Sequence, residues 1–316
     1  MKRSILALLM CNATFSASAQ QFDFSNQKLS LASRIASSDE PVQAAQDELT
    51  RIAISTANSQ IHAFSDSLLG EHLKYLSLSI GQDEGEMYLD GMAVYGLQET
   101  QNWFVFNQAS MVNYDSRTTF NIGLGARHIN DGDTVILGVN AFYDLELDSN
   151  HRRASIGGEV LTSLFQLRAN YYKGLTGERI YEGANEEAMD GQDIKLTYEL
   201  PYFYGSDIYF LSSQWYDGAD YRTSSDEFGV SAEIRPNLTL RLAQNKVQGQ
   251  AADVSASISY SYTFGQKPDV RSPRDGVMRF ALEPIRNVLY KPVQRENRIK
   301  KSTTATASGS VTFSTF

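Results

Sequence analysis

Catalysis needs a base beside a nucleophile, and metal binding needs a cluster of ligands. This chain offers few such residues: four histidines (His62, His72, His128 and His151) and one cysteine, Cys11. His62 and His72 fall before or at the first strand-like segment, and His128 lies near a short turn. His151, with Asp148 nearby, sits in a loop, where it could serve as a base or simply as a structural residue. Nothing in the pattern sets a nucleophile beside it, so neither enzyme activity nor a cofactor is expected. Cys11 lies in the leader described below, so the mature chain has no thiol for a disulfide or a thiolate metal site. A net charge of -9 argues against general nucleic-acid binding.

The remaining chemistry is charge, and its placement depends on the elements that carry it. Lys2 and Arg3 precede the apolar run Ile5 to Met10 and the small residues Ala17, Ser18 and Ala19. Residues 1–19 therefore read as a secretory signal cleaved before Gln20. Lipid attachment at Cys11 is disfavoured by Met10, because that position normally carries a small side chain. Beyond the signal no stretch approaches the ~18 consecutive apolar residues of a membrane helix. Membrane embedding would then require strands closed into a barrel, the only other structure that satisfies every backbone N–H and C=O in hydrocarbon. A mean hydropathy of -0.33 is compatible with this, since half of each barrel strand can face water.

Residues 20–69 predict a short periplasmic helical segment: Pro41 stands behind Ser38 and Asp39, and Val42, Ala45, Leu49, Ile52, Ala53 and Thr56 follow at helical steps. From about residue 70 to 265 the period is two. Val254, Ala256, Ile258, Tyr260, Tyr262 and Phe264 alternate with serines and a threonine. Elsewhere the second face is charged, with Asp144 and Glu146, Arg168, Lys195 and Glu199, or Glu233 set against apolar partners. Short connections near 98–102, 130–133, 162–164, 201–206 and 235–237 alternate with longer ones, notably 174–192, 217–226 and 245–252. That alternation predicts an all-β, transmembrane antiparallel barrel of about 12 strands with short periplasmic turns, embedded in outer-membrane lipid.

Asp144, Glu146, Glu159, Arg168, Lys195, Glu199, Glu233 and Arg241 are the candidate lumen residues. They could line a solute path or form salt-bridged struts; their mixed signs favour struts over sharp ion selectivity. The aromatics Tyr260, Tyr262 and Phe264 suit the last-strand signal read by the barrel-assembly machinery better than Phe316 does. Residues 266–301 break the pattern with four prolines and a basic excess that includes Arg279, Arg286, Lys291 and Arg295. The Ser/Thr-rich stretch 302–316 predicts a flexible tail.

Several motifs in one order resemble the β-domain of the intimin and invasin group of inverse autotransporters. They are Phe120 to Ile129, Gly138 to Asp144, His151 to Glu159, Leu167 to Tyr171, and Asp190 to Lys195 leading to Leu200 and Pro201. The similarity runs from about residue 45 to about 300 and includes Asn287 to Tyr290 and Arg295 to Arg298. The resemblance implies a 12-stranded outer-membrane barrel with a periplasmic N-terminus, whose following linker threads the pore to carry a passenger outside. It also implies a structural role for His151. Residues 266–301 would then be the linker, its cations facing carboxylates such as Asp144, Glu159 and Glu233. Only about 15 residues follow, so no sizeable passenger is expected, and no peptidoglycan-binding module precedes the barrel. The expected function is a translocator and anchor that contributes to adhesion. A small porin, or a surface protein binding an extracellular ligand through loops 174–192 and 217–226, are the competing readings.

Overall fold

The computed structural model describes residues 72–200, 203, 205–218, 222–264 and 282–305. The predicted signal 1–19, the predicted helix 20–69 and Arg279 lie outside the described residues.

The strands follow in chain order: β1 (Leu73–Asp83), β2 (Glu86–Glu99), β3 (Trp103–Tyr114), β4 (Arg117–Ile129), β5 (Ile136–Glu146), β6 (Arg152–Leu161) and β7 (Phe165–Gly174). After them come β8 (Arg179–Tyr181), β9 (Ala184–Ala188), β10 (Asp190–Glu199), β11 (Ser206–Tyr216), β12 (Arg222–Arg235), β13 (Leu238–Val247) and β14 (Asp253–Thr263). A 3-10 turn, Arg286–Val288, and β15 (Lys301–Ala305) complete the order. Twelve strands, all except β8, β9 and β15, close into one antiparallel barrel in which β1 pairs with β14. Closure leaves the wall without an edge, which is what hydrocarbon demands of a spanning sheet.

Alternation sets the two faces of the wall. Along β5 every second residue is buried, from Ile136 to Glu146, while Leu137, Val139, Ala141 and Tyr143 between them are exposed. β7 repeats the pattern in the opposite phase: Phe165, Leu167, Ala169 and Tyr171 face out, and Gln166, Arg168 and Asn170 face in. Val139 is 66 % and Ile156 63 % exposed, an outward apolar band with no protein partner among the described residues.

The connections differ at the two rims. At the terminal rim, where β1 begins and β14 ends, they occupy 100–102, 130–135, 162–164, 200–205 and 236–237. At the opposite rim two connections are tighter than expected. Glu84 and Gly85, and Asp115 and Ser116, take positive φ at both positions, the two-residue hairpin turn whose twist matches the flanking strands. Two of the predicted loops also change. Most of 174–192 is the hairpin β8–β9, and residues 222–226 of the stretch 217–226 belong to the wall strand β12. The predicted tail changes as well, because β15 runs through residues 302–305 and pairs antiparallel with β9. The β-branched Thr303 suits a strand, and the open side of β9 supplies the partner.

Depth in the bilayer should grade the cost of charge on this wall. Val139→Arg, mid-strand, is expected to lower folding stability by about 2–4 kcal/mol, and Leu147→Arg, beyond the end of β5, by about 0–1 kcal/mol. Denaturant titration in lipid vesicles measures both, and equal losses would mean that the outward band is not the membrane belt.

Candidate functional site: the lumen and the segment within it

The inner face of the wall has two zones. Near the terminal rim it is apolar: Val94, Phe104, Phe106, Ile129, Ile136, Phe142 and Leu161 form one buried cluster with Ile285, Val288, Leu289 and Val293 of the C-terminal segment. Some inward rings need room inside the wall itself. A Cβ on Gly123 would stand 2.3 Å from the Phe142 ring, and one on Gly125 would stand 2.3 Å from that of Phe106, so glycine is what the cluster permits. The 3-10 turn fits this zone because Val288 within it and Ile285 and Leu289 at its two ends converge over about one turn.

Above the cluster the inner face is charged, and the contacts of the C-terminal segment pass from rim to rim in chain order. Arg286 donates to both carboxylate oxygens of Asp133 at 2.9 and 2.7 Å and to the Gln101 carbonyl at 2.8 Å, at the terminal rim. The Arg286 bond holds the Asp133 carboxyl below its usual range. Tyr290 donates to Glu99. Arg127 of β4, fully buried, donates to the carbonyls of Leu289 and Lys291. Gln108 of β3 meets Val293 as a strand would, accepting its N–H at 2.7 Å and donating to its carbonyl at 3.2 Å. Arg295 forks onto Asp144 at 2.8 and 2.6 Å. The Glu296 N–H donates to Tyr172 Oη, while its carbonyl accepts from Arg153. Arg298 pairs with Asp83 at 2.9 Å, and Lys301 reaches both oxygens of Glu146 at 2.8 Å, at the hairpin rim.

Seven of the eight candidate lumen residues named from the sequence are tied into wall-to-wall or wall-to-segment pairs. Asp144 is fully buried between Arg153 (2.8 Å) and Arg295. Glu146 is held by Lys301, Arg117 and Ser149. Glu159 takes the Arg127 Nε bond at 2.6 Å and lies 3.6 Å from Arg168, whose guanidinium also donates to Gln166. Lys195 reaches Gln294 at 2.9 Å, and Arg241 bridges Glu227 and Tyr209. Glu199 accepts from Gln166 at 2.7 Å, a bond within the wall. Glu233 is placed differently. The register runs unbroken through Glu233, opposite Thr239, and shifts only beyond it; close to the end of β12 at the terminal rim Glu233 is exposed, accepting the Asn237 N–H at 2.7 Å. Of the four linker residues, Arg286 and Arg295 make the bonds described, Lys291 contributes its carbonyl, and Arg279 lies outside the described residues.

Sequence reasoning missed Arg127, Arg153, Gln108 and Tyr172, although all four fall in the inward phase of their strands. It had no way to see Arg117, which closes onto Glu186 of β9 with two bonds at 2.8 and 2.7 Å. His151 sits beside this knot with no exposed surface, its Nδ1 2.9 Å from Thr176 Oγ1 and its Nε2 3.8 Å from Glu186. The Thr176 hydroxyl also accepts the Arg152 N–H. Burial pushes the His151 imidazole down to about 4.

Two outcomes follow from these contacts. Asp144→Ala leaves two buried guanidiniums without their shared anion and should lower unfolding free energy by about 3–5 kcal/mol, read by denaturant titration in detergent. His151 has a folded pKa below its unfolded value, so the stability it contributes is present above about pH 6.5 and is lost as pH falls towards 4. Thermal unfolding followed between pH 7 and 4 should therefore fall more steeply in the wild type than in His151→Gln, and parallel curves would remove His151 as the titrating group.

A family model described as inverse autotransporter, beta-domain, matches residues 19–297. A putative attaching and effacing protein homolog of Escherichia coli K12 is 27% identical over 208 residues, covering 63% of this chain and 68% of that protein. The intimin of Citrobacter freundii is 25% identical over 287 residues, and the invasin of Yersinia enterocolitica 33% identical over 106. The match covers 86% of this chain but only 30% of that intimin, so the chain spans about a third of it. A solved structure from a study of the in-meso crystallization of membrane proteins superposes with a TM-score of 0.64 over 73% of this chain and 100% of that one, at 20% identity, a likeness of fold.

Proposed function

The chain belongs to the inverse autotransporter β-domain family and resides in the Gram-negative outer membrane; from that premise we propose that residues 266–301 are a linker held inside the pore. The barrel then anchors and exports whatever the linker carries. The observation behind this reading is the ordered series of contacts from Asp133 at one rim to Glu146 at the other. In this orientation the terminal rim faces the periplasm and the hairpin rim faces outside. The role is structural, without catalysis: His151 serves the ion knot at the hairpin rim. A contribution to adhesion is inferred from relatives named intimin and invasin. Tyr260 and Tyr262 of the last strand, with Phe264 just beyond its end, would be read by the barrel-assembly machinery. Of the loops expected to meet an extracellular ligand, 174–192 gives one side of its hairpin to β15, which leaves β8 and the loop near 217–221 for such contact.

The porin reading has less support, because an apolar cluster fills the terminal half of the lumen and ion pairs cross the other half. The test uses intact cells and planar bilayers. A tag placed after Phe316 should be reached by antibody without permeabilisation. Deleting residues 266–316 should convert a nearly closed barrel into one with clearly higher single-channel conductance. A tag reached only after permeabilisation, together with unchanged conductance, would reject the threaded linker in favour of the porin.

A further inference from the structure

On the outward face of β6, Gly158 has no evident structural reason to be glycine. Its φ lies outside the left-handed region that favours glycine, and a Cβ built there would meet only the Gly138 carbonyl oxygen, at 3.9 Å. Other wall glycines differ: a Cβ on Gly191 would strike the Trp215 ring at 2.2 Å, and one on Gly229 the Tyr209 ring at 2.3 Å. Gly158 thus keeps open a space that no part of the described protein fills.

The register shows what surrounds that space. Gly158 pairs with Ala169, which continues through Ile194 to Ser212. One row towards the hairpin rim, Ile156 pairs with Tyr171, Gln192 and Gln214. The next row holds Ala154, Lys173, Asp190, Tyr216 and Arg222. Two adjacent small residues make the floor of a groove of about 580 Å³, walled by Ile156, Tyr171 and Ile194, on the membrane side of the barrel. Polarity rises towards the hairpin rim, and Ser212, which donates to Asp226 at 2.7 Å, bounds the floor row on its far side. Above the apolar floor the Gln192 carboxamide donates to that of Gln214 at 3.2 Å, and above these lies Lys173, paired with Asp190 at 2.5 Å yet 59% exposed.

We propose that this groove binds one acyl chain of a phosphorylated glycolipid of the outer leaflet, lipid A, with its head group lying against Gln192, Gln214, Lys173 and Arg222. An amphiphile matches the sequence of surfaces: hydrocarbon over Gly158 and Ala169, amide and hydroxyl groups at the carboxamides, and phosphate at the cationic row. The choice of leaflet rests on the orientation proposed above, in which the hairpin rim faces outside. The tag experiment tests that orientation separately, and a symmetric nanodisc removes it from the binding assay.

The assay is native mass spectrometry of the full chain released from phosphatidylethanolamine nanodiscs containing either lipid A or phosphatidylglycerol. The wild type should retain one lipid A per barrel in preference to phosphatidylglycerol. Gly158→Leu and Ala169→Leu, which fill the floor, should each lower that retention about tenfold, the factor that about 1.4 kcal/mol represents. Val139→Leu, on the same wall outside the groove, should leave it unchanged, and Lys173→Gln should lower it with lipid A. Heat-modifiable gel migration confirms that each variant is folded; if Gly158→Leu is not, Ala169→Leu decides. Equal retention of the two lipids, retention insensitive to the groove-filling variants, or a dimer of barrels that these variants dissolve would each overturn the proposal.

Discussion

The lumen is organised around one carboxylate. Asp144 has no contact with solvent, and an unpaired charge in such a place would cost several kcal/mol in lost hydration. Arg153 neutralises it from the neighbouring strand and Arg295 from the C-terminal segment. The wall alone therefore does not complete this site. Arg153 lies over the Tyr172 ring, and Arg295 lies over the Phe142 ring, 4.5 Å from centre to centre in each case, which fixes the planes in which the two guanidiniums can fork. The segment is selected by charge geometry here and by apolar fit below, at Ile285, Val288 and Leu289.

Much of this was legible in the chain. A period of two sustained over nearly 200 residues, without a membrane helix, leaves a barrel as the only way to satisfy the backbone in hydrocarbon, and β5 and β7 follow the phases read from their residues. The errors have local causes. Glu233 stands close to the end of β12, where the lumen opens at the terminal rim, so alternation gives its phase on the wall but not its exposure. The tight turns at Glu84 and Asp115 lack the Asn-Gly or Asp-Gly pair that would announce them, so their length could not be read.

The site was less legible than the wall, because alternation says which way a side chain points but not what stands opposite. Arg127 and Arg153 lie on the inward phase as plainly as Asp144 does, yet their partners include backbone carbonyls of Leu289, Lys291 and Glu296 more than 140 positions away. Gln108 reads as an ordinary polar residue until its carboxamide is seen to pair with the backbone of Val293. The apolar cluster near the terminal rim likewise runs against the expectation that a lumen face suits water. It becomes apolar because a second apolar surface, supplied by the same chain, covers it.

The pairing of β15 with β9 has a mechanical consequence. The ladder runs from Lys301 opposite Ala188 to Ala305 opposite Ala184, and β9 continues through Met189 directly into the wall strand β10. Tension arriving from beyond Ala305 enters at one end of the ladder, while the wall resists at the other. The five paired positions are thus loaded side by side, in shear, instead of opening one after another like a zipper. A short sheet of this kind yields only when most of its bonds fail together, and the load it does pass on falls next on the Lys301 and Glu146 pair at its base.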